Sequence, residues 1–291
     1  MSASKREKTG LVLEGGATRG IYTAGVLDVL GERQVAFDGV IGVSAGAIHG
    51  ISFLANQFGR SIRYYLAFCR NPRFFSFKSL LLTGNLVGST FCYKDLPERL
   101  VPFDNDAFEA SASEFFITCS DIEAGEAYHR RTQSVRGDGM DILRASASLP
   151  VVSQIVEIDG RKLLDGGVTD SIPVKALRQM GFPKCLVVLT QIDGYRKKPS
   201  RSPLPRLLYR RYPAFVEAIA QRHHRYNATL DHIAELEASG QIYVLRPSRK
   251  VNIKRLERNP ERILEMYELG RKDALEHLKK IQAFLSDSAQ M

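Results

Sequence analysis

The sequence predicts an α/β fold, a three-layer α/β/α sandwich around a mainly parallel central sheet. Three observations lead there. Short apolar runs alternate with stretches of helical periodicity from Leu11 onward, and glycine-rich turns separate the first runs from the helices behind them. Several runs, Leu11–Leu13, Phe115–Ser120 and Cys185–Thr190, are largely apolar throughout rather than alternating. Strand and helix in alternation give parallel strands joined by crossover connections. A strand apolar on both sides must be covered on both faces.

Taken in order, Leu11–Leu13 is a short strand, followed by the loop Glu14-Gly15-Gly16-Ala17-Thr18-Arg19-Gly20. Ile21–Leu30 carries Ile21, Ala24, Val26, Leu27 and Leu30 at helical spacing. Phe37–Ile41 is the second strand and Ala45–Phe58 the helix after it. Arg60–Leu100 is rich in aromatic residues but poorly periodic, with Pro72, Gly84 and Gly88 as breaks. It reads either as a helical insertion beside a site or as ordinary core. Phe115–Ser120 and Glu126–Arg131 form the next strand pair, and Asp141–Ser148 a helix. Asp159-Gly160 between Ile155–Ile158 and Lys162–Leu164 is a hairpin turn signal. Pro173 opens a helix that Gly181 stops, and Cys185–Thr190 is a buried strand. A Pro- and Arg-rich stretch, Tyr195–Pro213, precedes the helix Ala214–Ser239, the strand Ile242–Leu245 and the helix Pro260–Leu285.

The length of 291 residues suits one domain, 1–291, with a core of about 9–191 and a helical extension of about 196–291 completing the same sheet. The apolar and charged fractions, 44% and 25%, are those of a globular protein. Met1–Gly10 is polar with no apolar run behind it, and no stretch reaches membrane-spanning length, so a cytoplasmic protein is expected. Cys69, Cys92, Cys119 and Cys185 are scattered, without zinc-ligand spacing, which fits reduced thiols. The net charge of +9 is partly local: residues 196–211 hold seven Lys/Arg and no acid. Such a segment suits peripheral contact with anionic lipid headgroups, or a solvated loop. With no zinc finger or RNP pattern, nucleic acid is not expected as a partner.

The chemistry concentrates in three glycine-bearing loops. Gly42-Val43-Ser44-Ala45-Gly46 has the G-x-S-x-G spacing that sets a serine on a sharp strand-to-helix turn. Its hydroxyl then sits at a helix N-terminus, where developing negative charge is favoured. The loop Gly15–Gly20 lies between a strand and a helix and presents backbone N–H groups to an anion. It suits an oxyanion hole, or a degenerate dinucleotide-binding turn with Asp38 as ribose acid. Asp38 opens its strand, however, whereas ribose recognition needs the acid at the strand's C-terminal end. For the base that a serine requires, His223, His224 and His232 follow in α/β-hydrolase order, although they share a polar helix with Arg222 and Arg225. The alternative is Asp165, at a strand end before Gly166-Gly167, because a partly desolvated carboxylate can take a serine proton.

Together these loops resemble the patatin-like phospholipase family, whose pattern is G-G-G-x-[K/R]-G, G-x-S-x-G and D-G-[G/A]. The corresponding segments are Gly15–Gly20, Gly42–Gly46 and Asp165-Gly166-Gly167, supported by Ala145–Pro150 and Ser171–Val174. The likeness spans about Thr9–Gln191. Ala17 departs from it by replacing the third glycine, which keeps the N–H but adds a methyl and disfavours positive φ. The resemblance implies a patatin-like fold and a lipid acyl hydrolase with a Ser44–Asp165 dyad. It also implies an oxyanion hole from Gly15, Gly16 and Ala17, with Arg19, Gly20, Gly42, Gly46, Gly166 and Gly167 in support. It calls for no metal or cofactor, and for a lipid or ester as substrate.

Overall fold

The computed structural model describes residues 6–286; the first half of the polar Met1–Gly10 opening lies outside them. Five parallel strands form the sheet's body: β1 (Thr9–Leu13), β2 (Gly39–Val43), β3 (Glu114–Asp121), β7 (Lys184–Val188) and β8 (Ile242–Leu245). Their order is β3-β2-β1-β7-β8, and β4 (Glu126–Arg131), β5 (Val156–Ile158) and β6 (Arg161–Asp165) add antiparallel partners on the β3 side. The mainly parallel three-layer architecture is therefore the one the alternation predicts.

Alternation along β1 divides the core. Leu11 and Leu13 face a layer built from α1 (Ile21–Glu32), α2 (Ala45–Leu54) and α10 (Pro260–Ser286). Val12 faces the opposite layer, which holds α7 (Val174–Gln179) and α9 (Pro213–Ala238). Every β1 residue is buried, which explains why this strand shows no polar face in the sequence. β1 also lies where the chain's path through the sheet reverses: β2 is on one side and β7 on the other. The C-terminal end at such a switch point is where open α/β sheets hold ligands.

The C-terminal part is built into this framework. β8 continues the sheet from β7, and α10 packs on α1 with almost no space between backbones. A Cβ at Gly270 would strike the Tyr22 carbonyl, and one at Gly25 the Tyr267 carbonyl. Two buried hydrogen bonds cross the same contact, Tyr22 to Asp273 (3.0 Å) and Tyr267 to Asp28 (2.6 Å).

Element boundaries differ from expectation in a few places. β2 runs to Val43 rather than Ile41, since its pairing with β1 and β3 extends to the serine turn. α2 stops at Leu54 because Asn56 (φ +53°) and Gly59 (φ +72°) leave the helical region. The aromatic stretch folds into α3 (Arg60–Phe68), α4 (Phe77–Thr83) and a π-helical segment, Phe91–Leu100, around Pro97. Two short helices, α5 (Asn105–Glu109) and α8 (Leu204–Leu208), fall where periodicity gave no signal.

Candidate active site

Two strands end against each other on one edge of β3. β2 pairs with Glu114–Thr118 and β6 with Cys119–Asp121. β4 pairs along Phe116–Asp121 and so takes the other edge. β2 and β6 therefore approach head to head, with Val43 opposite Thr118 and Asp165 opposite Cys119. Ser44 is the residue after β2 and Asp165 the last residue of β6. Positions 121 apart in sequence are thus neighbours because two strands of opposite direction share an edge.

The serine turn is strained in the manner of a nucleophile elbow. Ser44 has φ +53° and ψ −120°, a region that residues with a Cβ avoid. Small neighbours make the turn possible: a Cβ at Gly42 would lie 2.6 Å from the Ala47 backbone, and one at Gly46 would meet the Leu13 carbonyl of β1. The C-terminal end of α6 (Asp138–Ser146) holds the two loops in place. Ser44 N–H donates to Ser146 Oγ (2.8 Å), which in turn donates to the Thr118 carbonyl (2.7 Å). Asp165 N–H donates to the Ser148 carbonyl (2.8 Å). Gly166 lies against the Thr118 carbonyl, where a side chain would not fit.

Ser44 and Asp165 are 7% and 4% exposed, so the pair is nearly withdrawn from water. Ser44 and Asp165 line one cavity, and Gly167 N–H donates to Asp165 Oδ1 (2.7 Å). Burial pushes the Asp165 carboxyl above its ordinary range; the Arg222 guanidinium, the Gly167 N–H and the Ser44 hydroxyl pull it partly back. Such a carboxylate is a better proton acceptor than one in water.

In the glycine loop, Gly15 N–H is engaged by the Ser171 carbonyl (3.5 Å), which corrects the expectation of three free donors. The N–H groups of Gly16 and Ala17 have no acceptor among the described residues. Ala17 takes φ +49° despite its methyl, so the backbone turn expected of the missing glycine is retained under strain. Gly20 packs against Ala45 at the head of α2. Arg19 does not brace the loop by a hydrogen bond: its Nε is buried without a partner, and its side chain lines the site. Asp38, the ribose-binding alternative, caps Thr9 through its N–H (2.7 Å) and hydroxyl at the far end of the strand.

None of the six histidines hydrogen-bonds Ser44 among the described residues. His223 contacts the Ala220 carbonyl of its own helix, His224 stacks on His223, and His232 lies 3.7 Å from Glu235. Elsewhere, His49 bonds Ser61, His129 bonds Thr118 and His277 bonds Tyr243.

Two cavities meet at Ser44, Ala17 and Leu149. One is apolar, walled by Tyr64, Tyr65, Phe74, Phe75 and Leu96 from the aromatic stretch. Most of these residues also belong to a buried cluster that the stretch forms for itself. The other cavity is polar and includes Lys197, Arg222, Tyr226 and Arg255. Sequence reasoning missed these. The polar composition around Arg222 gives no sign of a site, yet Tyr226, one helical turn further along α9, is buried and donates to Glu14 (2.6 Å).

A strained serine at a strand-to-helix turn, sharing a cavity with a buried carboxylate and a glycine loop, defines a class of three-layer α/β/α proteins with an elbow-type turn after a central strand. Within that class the chain belongs to the patatin-like phospholipase family, whose model matches residues 11–178. A domain of unknown function matches residues 212–286. The uncharacterised protein YjjU of Escherichia coli is 31% identical over 62% of this chain and 51% of its own length. An uncharacterised NTE-family protein of Mycobacterium tuberculosis is 23% identical over 69% of this chain and 54% of its own. Lysophospholipase NTE1 of Mycosarcoma maydis is 27% identical over 59% of this chain and 9% of its own. The chain thus spans about half the length of the first two relatives. Among solved structures, VipD from Legionella pneumophila aligns with a TM-score of 0.46 at 13% identity, over 95% of this chain and 68% of that one.

Proposed function

We infer that this chain is a serine acyl hydrolase acting on fatty-acyl esters of phospholipids or related lipids. The observation that carries the reading is the placement of Ser44 and Asp165 at two abutting strand ends, lining one cavity. Asp165 takes the Ser44 proton as Ser44 Oγ attacks the ester carbonyl, and returns it to the departing alcohol. Asp165 then takes a proton from water, whose oxygen attacks the acyl-enzyme; the fatty acid leaves and the proton goes back to Ser44. The N–H groups of Gly16 and Ala17 hold the oxyanion, a function worth about 3 kcal/mol per donor. Gly15 shapes the loop through Ser171. The apolar cavity suits the acyl chain. Residues 1–291 act as one unit in this reading, with α9 reaching the site.

Contact with a lipid surface is supported by two exposed apolar helices. Phe77, Leu81 and Leu82 on α4 are 82%, 87% and 71% exposed, and Leu207 on α8 is 64% exposed. Both helices flank the segment 149–154: Leu86 N–H donates to the Val152 carbonyl, and the Tyr209 hydroxyl accepts from Val151 N–H. The basic segment 196–211 contributes less charge than its composition suggests. Arg196 is paired with Asp231 and Lys197 lines the polar cavity, which leaves Lys198, Arg201, Arg206, Arg210 and Arg211 for headgroups. No helix among the described residues is long and apolar enough to cross a membrane.

A fluorophosphonate probe tests the reading. It should label the wild-type protein and fail to label Ser44→Ala, with hydrolysis of a fatty-acyl ester lost in parallel. Equal labelling of the two proteins would refute it. Alanine at His223, His224 and His232 should leave hydrolysis intact; loss at any one of them would point to a histidine base instead.

A further inference from the structure

The polar cavity beside Ser44 gathers Arg19, Lys197, Arg222 and Arg255. None of the four forms an ion pair among the described residues, whereas Arg196, adjacent to Lys197, pairs with Asp231. The carboxylates in the cavity wall do not neutralise them at close range. Glu14 accepts from Thr190 N–H (2.5 Å), the Thr190 hydroxyl (3.0 Å) and the Tyr226 hydroxyl (2.6 Å), and Asp165 accepts from Gly167 N–H (2.7 Å). The Nε atoms of Arg19 and Arg222 are fully buried with no acceptor. Crowding is felt most at Lys197, whose ammonium lies over the Tyr226 ring at 4.2 Å. Burial, followed by the charges of Arg222 and Arg255, lowers its pKa to about 7, against an opposing pull from Glu14.

Buried guanidinium N–H groups without acceptors are uncommon, and four unpaired cations in one cavity repel one another. An anion with several oxygens relieves that repulsion, because arginine forks match phosphate geometry. Four cations against two carboxylates also leave the cavity a net positive charge, which disfavours a quaternary ammonium there.

We propose that this cavity is a subsite for the phosphate of a lipid headgroup, chiefly one that carries no compensating cation. This rests on the Ser44–Asp165 reading for the position of the ester. The acyl chain then occupies the aromatic cavity, the ester carbonyl sits at Ser44, and the phosphate, a few bonds along the glycerol, lies among Lys197, Arg222 and Arg255. These three come from outside the 11–178 match, and Arg222 and Arg255 fall within the 212–286 match. The C-terminal part thereby supplies headgroup recognition to the catalytic core.

The test has a binding arm and a kinetic arm. In the first, Ser44→Ala protein is titrated calorimetrically with lysophosphatidic acid, with the monoacylglycerol of the same chain, and with inorganic phosphate. Lysophosphatidic acid should bind about tenfold or more tightly than monoacylglycerol, and Lys197→Met or Arg255→Met should each erase most of that difference. Arg255→Lys should restore part of it. In the second, the ratio of kcat/KM for lysophosphatidic acid to that for monoacylglycerol should fall about tenfold in each Met variant, mainly through KM. A wild-type preference near one, or a preference unmoved by both substitutions, would overturn the proposal. So would inorganic phosphate binding as tightly as lysophosphatidic acid, since that marks a free-anion site. If the Ser44 reading alone fails, turnover is absent but the binding preference of the Ser44→Ala protein persists, so the two failures are distinguishable.

Discussion

Replacing Ser44 with glycine and with alanine removes the same hydroxyl but not the same backbone strain. Ser44 is held at φ +53°, ψ −120°, where a residue with a Cβ pays about 1–3 kcal/mol and glycine pays little. Both variants keep the Ser44 backbone N–H that donates to Ser146 Oγ. Their difference therefore isolates the strain, less the extra chain entropy of glycine, about 0.5–1 kcal/mol. Ser44→Gly should be more stable than Ser44→Ala by about 0.5–2 kcal/mol, or roughly 1–4 °C in melting temperature for a chain of this size. Paired calorimetric melts, with urea titrations to check that the slopes agree, measure this. An alanine variant more stable than the glycine one by about 0.5–1 kcal/mol, the full entropy cost of glycine, would mean that the turn stores no strain and would remove the structural argument for an elbow.

Asp165→Asn should lower kcat by about 10²–10⁴ by removing the base. In the wild type, kcat/KM should fall as pH drops through the raised Asp165 value, and Arg222→Met should move that acid limb to higher pH by removing the nearest opposing charge. The stability effect has the opposite sense to a salt-bridged acid. The folded state holds the Asp165 proton more tightly, so this group's contribution declines as pH rises from the unfolded to the folded value. Wild type should therefore gain stability relative to Asp165→Asn on acidification across that interval, as read by melts at several pH values; a gain in the opposite direction would refute the burial argument. Gly270→Val should cost about 3 kcal/mol or more, since its side chain would meet the Tyr22 carbonyl of α1 and neither backbone can give way; a melt unchanged from wild type would contradict the close α1–α10 contact. Leu81→Glu with Leu207→Glu should weaken sedimentation with anionic vesicles several-fold, and unchanged sedimentation would remove α4 and α8 from the membrane contact.

What the sequence determined by itself is local. The apolar runs announced the buried strands because parallel strands covered on both faces have no polar side to show. Asp159-Gly160 announced its hairpin because both residues take positive φ, +55° and +69°. The three loops were legible because tight turns and close backbone approach restrict residue type at fixed spacing: Gly42 and Gly46 each lie against backbone with no room for a Cβ. Ala17 was a departure whose outcome the sequence left open, since an alanine can adopt the turn only if the surrounding fold holds it there.

Tertiary structure decided everything that depends on strands and helices meeting at a distance. Ser44 and Asp165 are neighbours because β2 and β6 end against each other on one edge of β3, a register that neither segment encodes alone. The same holds for Ser146 and Ser148, which position both loops from the end of α6. It holds most of all for Lys197, Arg222 and Arg255. A charged residue on an amphipathic helix or loop carries the same local signal whether it faces water or a cavity. Only the docking of α9 and β8 onto the sheet turns these three cations toward the serine.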